Sequence, residues 1–297
     1  MARFVIQPHE RLADWVAHEH GYFTEAGLDY EIAGDGIKRE RTKAVDPSTG
    51  SMQAVTAGAF EAYEEGRGDK GERSDISCAC HWAVNQAAAS DIGKMWGRAY
   101  TVAPSAIMVQ PDSPIRTPED LAGREIAVGR HSGSHFATLQ ALEPFLDDDK
   151  IELNFVGFPW QRVDALVDGD AAAANVWGLS YYVAEALGMR KLIDSTFMVG
   201  FMFPERVDEA DVERYFAGLE RAQADIDLEP DRYKHYYERE LPERYRDRVD
   251  VRLFGPGERV VFLPYTEETF DKTQQWMAKH EVFDDLPVYE YHQAVFV

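Results

Sequence analysis

The chain has 297 residues, of which 45% are hydrophobic and 12% aromatic, and its 53 acidic against 31 basic side chains give a formal net charge of -22. This composition excludes a disordered or fibrous chain and favours a soluble globular protein. The acidic excess repels polyanions, and no cluster of lysine and arginine offsets it, so we expect no nucleic-acid partner.

The apolar segments and the N-terminal residues indicate where in the cell the protein is located. No apolar segment is long enough to span a bilayer, so we expect no membrane insertion. Residues 1–3 lead directly into an apolar run, without the basic region and small-residue cleavage site of a signal peptide. We therefore expect a cytoplasmic protein, whereas a chain trimmed of its signal would be periplasmic or lipid-anchored.

The chain has two cysteines, Cys78 and Cys80. Their spacing is too tight for an ordinary structural disulfide, and two cysteines are too few for a zinc site. The histidines and carboxylates match no standard metal-ligand pattern, so we predict neither a metal nor a cofactor. The alternative is a metal held by His9, His81 and a carboxylate.

The predicted elements begin with a strand at residues 4–7, a helix at 11–20 and a strand at 27–32. These three elements form a β-α-β unit and imply a parallel sheet. A strand at 75–79 then leads into an alanine-rich helix at 82–89.

The middle of the chain alternates strands with helices. The predicted strands lie at 100–110, 125–129, 151–157 and 171–176, and the predicted helices at 136–145, 162–167 and 181–187. Residues 191–203 then carry the chain back toward its first part, and the remainder is mainly helical.

Four stretches carry a resemblance to a known family, and they occur in the family's order. They are Glu-His-Gly-Tyr-Phe-Thr-Glu-Ala-Gly-Leu at 19–28, Asp-Ser-Pro-Ile at 112–115 with Asp-Leu-Ala-Gly-Arg at 120–124, Val-Gly at 128–129 with Gly-Ser at 133–134, and Ala-Leu-Val-Asp-Gly-Asp-Ala-Ala at 165–172. With them the chain resembles the substrate-binding proteins of the thiamine-pyrimidine and aliphatic-sulfonate (NMT1-like) type. The resemblance implies an α/β, two-lobed type II periplasmic-binding-protein fold with a ligand cleft between the lobes.

On this interpretation lobe I is discontinuous and comprises residues 1–111 and 199–297, and lobe II comprises residues 112–198. The ligand would be held by loops at the carboxyl ends of strands, as in open α/β sheets. Residues 34–74 are longer than the family's connection, and we interpret them as either a lid or a solvated surface insertion.

Three residues are candidates for catalysis: Cys80, His81 and His9. A thiol beside an imidazole at a helix N-terminus can ionise near neutral pH, and a histidine near a carboxylate can act as a base. The alternatives are that His9 only contacts the ligand and that the cysteines only fill the core. We match His81 to a histidine of the thiamine-pyrimidine synthases, which the resemblance places in this region.

The segment Gly129–His135 opens a helix and gives the best binding signal. Its backbone N–H groups and hydroxyls can face an anion, and three of its side chains can add positive charge. The alternative is a capped polar loop without a ligand. The candidate ligand contacts here are Arg130, His131, Ser132, Gly133, Ser134 and His135.

Four further candidate ligand contacts lie at predicted strand ends: Gln7, Cys78, Trp82 and Trp177. An aromatic ring at such a position can stack on a ligand ring, although aromatic side chains more often belong to the core. Of the aromatic candidates, Trp177 has the best case because it follows a strand of small residues.

Because this fold hosts receptors as well as enzymes, function has to be argued from the site. We expect a protein that binds a small anionic organic ligand in its cleft, as a cytosolic lyase or hydrolase acting on an aromatic or heterocyclic acid. The alternative is a solute-binding protein for a sulfonate or nitrogen heterocycle, which would have an ABC permease as its partner if exported. A third hypothesis is a cytosolic ligand sensor.

Overall fold

The computed structural model describes residues 3–32, 75–284 and 287–297. The segment interpreted as a lid or insertion, 34–74, lies wholly outside these residues. Across the described part of the chain, no helix combines the length and apolar character that crossing a membrane requires.

The chain begins with the predicted β-α-β unit. Strand β1 (Phe4–Ile6) leads through helix α1 (Leu12–Glu19) and the short helix α2 (Tyr22–Glu25) to strand β2 (Tyr30–Ile32). The two strands pair in parallel, with Phe4 opposite Tyr30, which confirms the prediction.

A second set of elements follows residue 75. In chain order these are β3 (Ser77–Cys80), α3 (His81–Ala89), β4 (Lys94–Trp96), β5 (Tyr100–Val109), β6 (Glu125–Val128), α4 (Gly133–Leu142), β7 (Glu152–Phe155), α5 (Pro159–Asp168), β8 (Ala173–Trp177), α6 (Gly178–Ala186) and β9 (Arg190–Phe203). The predicted elements of this part are confirmed, with ends displaced by a few residues. Strand β4 was not predicted, because three residues are too few to show an alternating pattern.

The C-terminal third is mainly helical, as predicted. It contains α7 (Glu209–Leu228), α8 (Pro230–Tyr233), α9 (Glu243–Arg246), β10 (Arg259–Val261), α10 (Glu267–Lys279), α11 (Tyr291–Ala294) and β11 (Val295–Phe296). The strands β10 and β11 were not predicted, and they too are only two or three residues long.

Two long strands, β5 and β9, lie at the centre of the larger sheet. In the larger sheet the strand order is β11-β4-β9-β5-β8-β6-β7, with β10 on β5 and β3 on β9. Strands β5 and β9 pair antiparallel along most of their length. The first residues of β5 pair with β10 and the later ones with β8, so one strand serves two groups of neighbours.

These two groups define two lobes. We call the part that contains β6, β7 and β8 with helices α4, α5 and α6 the second lobe, and the rest the first lobe. The result is the mixed α/β, two-lobed fold that the sequence predicted, with β5 and β9 running through both lobes. The lobe boundaries given by residue number stay a prediction, and the one at 198/199 falls inside β9.

Candidate functional site

The two lobes meet where β1 and β8 end. The loop after β1 belongs to the first lobe and carries His9, whose ring stacks on Trp177 of the second lobe with ring centroids 5.4 Å apart. Trp177 also meets Phe197 of β9 edge to face at 5.6 Å. Its indole Nε1 is buried and has no hydrogen-bond partner within the described residues. The two predicted candidates His9 and Trp177 therefore form one contact across the cleft.

Behind His9 lies a buried ionic network centred on Arg11, whose side chain is 0% exposed. Arg11 Nη1 donates to Glu258 Oε1 at 3.1 Å, and Nη2 donates to Tyr215 OH at 3.2 Å and Cys78 Sγ at 3.1 Å. Its Nε lies 2.8 Å from an oxygen of Asp14, although this N–H is not aligned as a hydrogen bond. The guanidinium also lies 4.7 Å from the ring centre of Phe201.

The same network fixes the orientation of the His9 ring. His9 Nδ1 donates to Glu258 Oε2 at 2.9 Å, and Thr101 Oγ1 donates to Glu258 Oε1 at 2.5 Å. Burial by itself would raise the pKa of Glu258, but His9 and Arg11 together hold it below its usual value. With Nδ1 committed to the carboxylate, Nε2 is the ring nitrogen of His9 that remains for a ligand.

The next residue, Glu10, has a different environment. It is 3% exposed, its backbone adopts a left-handed φ of 49°, and neither carboxyl oxygen has a hydrogen-bond partner within the described residues. Burial, followed by the charges of Glu240 and Glu258, raises its pKa to about 8, while the charge of a nearby arginine and then the Trp160 indole oppose the rise. A Cβ added to Gly178 of the second lobe would lie 3.7 Å from Glu10 Oε2, so this carboxyl reaches the interlobe surface.

A buried arginine faces this region from the second lobe. Arg162 is 1% exposed, and its Nε donates to the carbonyl of Asn175 at 2.9 Å while Nη1 donates to the carbonyl of Gly157. Its Nη2 has no partner within the described residues. Burial lowers its pKa to about 9, a fall that the charge of Glu10 opposes, so Arg162 stays largely protonated at neutral pH.

The predicted anion-binding loop lies against Arg162. A Cβ added to Gly129 would come within 3.0 Å of Arg162 Nη1. Within the loop, Ser132 Oγ donates to the carbonyl of Gly129 at 2.7 Å, and Ser134 Oγ accepts from the N–H of Gly129 at 2.9 Å while bonding to Ser132 Oγ at 2.7 Å. Both hydroxyl protons are thus used inside the loop, so backbone N–H groups and Arg162 are the donors it can offer an anion.

The basic side chains of the loop differ in their placement. His131 has a left-handed φ of 49°, and its backbone N–H donates to His135 Nδ1 at 3.3 Å. Burial, together with the charges of His131 and Arg130, lowers the pKa of His135 to about 3, so its imidazole is neutral. The guanidinium of Arg130 lies 5.1 Å from the ring centre of Phe155.

Gly133 is the point at which the loop contacts the first lobe. An added Cβ there would lie 2.6 Å from the ring of Phe197 and 3.2 Å from Cβ of Cys80. Only a glycine fits this approach, so the start of helix α4 packs directly on Phe197 and Cys80.

The hydrogen bonds described for His81 do not involve Cys80. The hydrogen bonds of His81 Nδ1 run to Tyr265 OH and Thr273 Oγ1, both at 3.3 Å, toward the C-terminal helices. Burial raises the pKa of the Cys80 thiol to about 12 and lowers the pKa of His81 to about 3. Burial thus favours the neutral thiol of Cys80 over the thiolate that nucleophilic attack needs, and the catalytic role of Cys80 and His81 stays a prediction.

The remaining candidates fall into different surroundings. Cys78 is a partner of Arg11 in the buried network, and burial raises the pKa of its thiol to about 12. Trp82 is 2% exposed and packs in an aromatic cluster with Phe136, Phe197 and Trp276, an environment typical of core side chains. Gln7 is buried, and its Oε1 has no partner within the described residues.

Sequence reasoning missed Arg162 as a site residue. In the sequence it stands in an ordinary helix, and only the fold buries it beneath the Gly129 loop. Glu258 and Arg11 were missed for the same reason, since they lie 247 positions apart in the chain. Glu10 stands beside His9 in the same loop, and it is the carboxylate that the sequence placed near this histidine.

Within the described residues, no group of three or more histidine, cysteine, aspartate or glutamate side chains is arranged to hold a metal ion. The described site residues contribute hydrogen-bonding groups, charges and aromatic rings. These are the guanidinium of Arg162, the carboxyl of Glu10, and the aromatic contact of His9 with Trp177 between the lobes.

Comparisons with known proteins identify the fold. No model of a protein family matches the sequence, and no curated protein matches it. Among solved structures, the alkanesulfonate-binding protein SsuA from Xanthomonas axonopodis pv. citri, bound to MOPS, is 17% identical with a TM-score of 0.65, covering 100% of this chain and 98% of its own.

Two other structures are similar over nearly the whole chain. The periplasmic aliphatic sulphonate binding protein SsuA from Escherichia coli is 18% identical with a TM-score of 0.65, covering 99% of this chain and 91% of its own. The desulfurization enzyme DSZB is 14% identical with a TM-score of 0.58, covering 99% and 96%. The chain therefore has the type II periplasmic-binding-protein fold that the sequence resemblance implied.

Proposed function

We propose that this protein binds a small organic anion in its interlobe cleft and serves as a solute-binding protein. The observation that carries the proposal is Arg162, a buried guanidinium whose described hydrogen bonds go to backbone carbonyls and whose Nη2 has none. A buried charge is costly unless it is paired, and an acidic ligand would pair it.

The surroundings of Arg162 support the same ligand class. The loop that opens helix α4 lies beside it at Gly129, and the positive end of a helix favours an anion. Sulfonate, sulfinate and carboxylate groups all fit this donor set. The similar structures that bear the name of sulfonate-binding proteins favour the sulfonate.

The expected lyase or hydrolase has less support than the solute-binding alternative. The fold neighbours include sulfonate-binding proteins, while the neutral Cys80 and His81 face different partners. Delivery of the ligand to an ABC permease belongs to the proposal, and it requires export of the chain. The expectation of a cytoplasmic location stays a prediction that cell fractionation tests.

The test is calorimetric titration of the whole chain with ethanesulfonate, taurine, propionate and β-alanine. We expect at least one of these acids to bind, and we expect Arg162→Gln to weaken that binding by about a hundredfold, because it removes the buried charge partner. The matched control is Arg124→Gln, an exposed arginine of the second lobe that donates to a backbone carbonyl.

Two results would contradict the proposal. One is that none of the acids binds, and the other is equal affinity in the wild type and Arg162→Gln. Recovery of the bound acid unchanged after long incubation supports a binding protein. Conversion of the acid by the wild type would restore the enzyme hypothesis.

A further inference from the structure

The cleft leaves a second set of buried polar atoms without partners, close to His9. They are both carboxyl oxygens of Glu10, Oε1 of Gln7 and Nε1 of Trp177. Three of the four are oxygen atoms, and Glu10 and Trp177 lie at the interface of the lobes. Leaving such atoms unpaired costs about 1–3 kcal/mol each, so their arrangement makes sense when a ligand supplies donors.

We propose that the cleft selects acids that carry a positively charged nitrogen close to the acidic group, with Glu10 as the partner of that nitrogen. This inference rests on the proposed function, since it assumes that Arg162 and the Gly129 loop hold the acidic end. The ligand class is thus a zwitterion, such as an amino sulfonate or an amino carboxylate.

The charges around Glu10 support this assignment. Glu240 and Glu258 both lie near enough to act on Glu10, and Arg162 is the cation that acts on it. Glu258 is already paired with His9 and Arg11, and Glu240 accepts from the Trp15 indole at 2.9 Å. Of these three carboxyls, Glu10 is the one whose oxygens have no hydrogen-bond partner within the described residues apart from the nearby Trp160 indole, in a field that favours a cation.

Neighbouring aromatic side chains suit the same nitrogen. The Trp160 indole of the second lobe lies near the Glu10 carboxyl, and Trp177 stacks on His9, the residue that precedes Glu10. A cation near an aromatic face is stabilised by the ring quadrupole. The strained left-handed backbone of Glu10 fits a position held for binding rather than for local stability.

Binding of a zwitterion should change the protonation state of Glu10. Glu10 in the free protein has a pKa of about 8 and is mostly protonated at neutral pH. A bound ammonium group favours the carboxylate, so Glu10 gives its proton to the solvent while the ligand nitrogen keeps its own. Binding of a zwitterion at pH 7 therefore releases up to one proton per site.

The experiment compares acids that differ in one amino group: taurine with ethanesulfonate, and β-alanine with propionate. We expect the wild type to bind the amino member of at least one pair at least tenfold more tightly. We expect Glu10→Gln to reduce that ratio to about one, and the exposed Glu119→Gln to leave it unchanged. Titration in buffers of different ionisation enthalpy should show proton release with the wild type and none with Glu10→Gln.

The outcomes separate the two proposals. If the simple acids bind as tightly as their amino counterparts, or if Glu10→Gln keeps the preference, the zwitterion proposal is wrong while anion binding at Arg162 stands. If none of the four acids binds, both proposals are wrong. If a preference persists in Arg162→Gln but disappears in Glu10→Gln, the nitrogen partner is correct and the anion partner is not.

Discussion

Two buried charged clusters lie side by side in this protein, and they differ in how completely their charged groups are paired. Around Arg11, the guanidinium, Asp14, Glu258, Tyr215 and the imidazole of His9 contact one another within the first lobe. One residue away, Glu10 and Arg162 face each other across the lobes with polar atoms that meet no partner. The first cluster completes itself and stabilises the fold, whereas the second is completed only by something that enters the cleft.

The largest loss of stability should come from removing the cation of the Arg11 cluster. Arg11→Leu leaves Asp14 and Glu258 buried without their cation, and removal of one partner from a buried ion pair costs about 3–5 kcal/mol. We expect urea unfolding at pH 7 to show a loss of this size. Arg124→Leu, at an exposed position, should change the free energy of unfolding by less than about 0.5 kcal/mol. Equal stabilities of the two variants would mean that the Arg11 cluster does not stabilise the fold.

The second cluster, that of Glu10 and Arg162, should make the stability of the protein depend on pH. The pKa of Glu10 rises from 4.5 to about 8 on folding, so the folded state holds a proton that the unfolded chain has lost. Stability from this group is present below pH 4.5 and falls as the pH rises toward 8, by at most about 1.4 kcal/mol per pH unit.

Thermal unfolding of the wild type and Glu10→Gln across this range measures that dependence. We expect the wild type to lose stability relative to the variant as the pH rises, because glutamine does not ionise. A difference between the two proteins that stays constant from pH 4.5 to 8 would show that Glu10 titrates as an exposed carboxyl does.

A smaller effect should follow from disturbing the contact between the start of helix α4 and Phe197. Gly133→Ala places a methyl group 2.6 Å from the ring of Phe197, and such overpacking typically costs about 1–3 kcal/mol. We expect this loss in unfolding experiments and weaker binding of acids. Adding Phe197→Leu should recover part of the loss, and a double variant with no recovery would show that the two side chains are not coupled.

The smallest effect should come from the rim of the cleft. Arg244 of helix α9 contacts Asp164 of helix α5 at 2.8 Å and Asp168 at 3.0 Å, which joins the lobes by exposed ion pairs. Exposed pairs contribute about 0.2–1 kcal/mol and are screened by salt. We expect Arg244→Gln to weaken binding by a few-fold at low salt, with the difference vanishing at high salt. A difference that persists at high salt would assign Arg244 a role other than an exposed ion pair.

The site was only partly accessible to sequence reasoning. His9, Trp177 and the Gly129 loop could be predicted as cleft residues because they follow predicted strands, and the carboxyl ends of strands meet at one edge of a sheet. Cys80 and His81 also follow a strand, yet their side chains point to different partners, which a spacing of one residue does not reveal. Arg162 gave no signal, because an arginine in an amphipathic helix is usually solvated.

The sequence by itself determined the fold, since hydrophobic periodicity and turn residues are local signals and the four family-like stretches fall in the family's order. It also determined the acidic surface charge. Only the tertiary structure decided which charges are paired. Arg11 meets Glu258 across 247 positions, and Glu10 meets the second lobe near Gly178. Pairing and desolvation depend on distances set by the whole fold, so the same residue type becomes a stabilising partner in one place and a ligand contact in another.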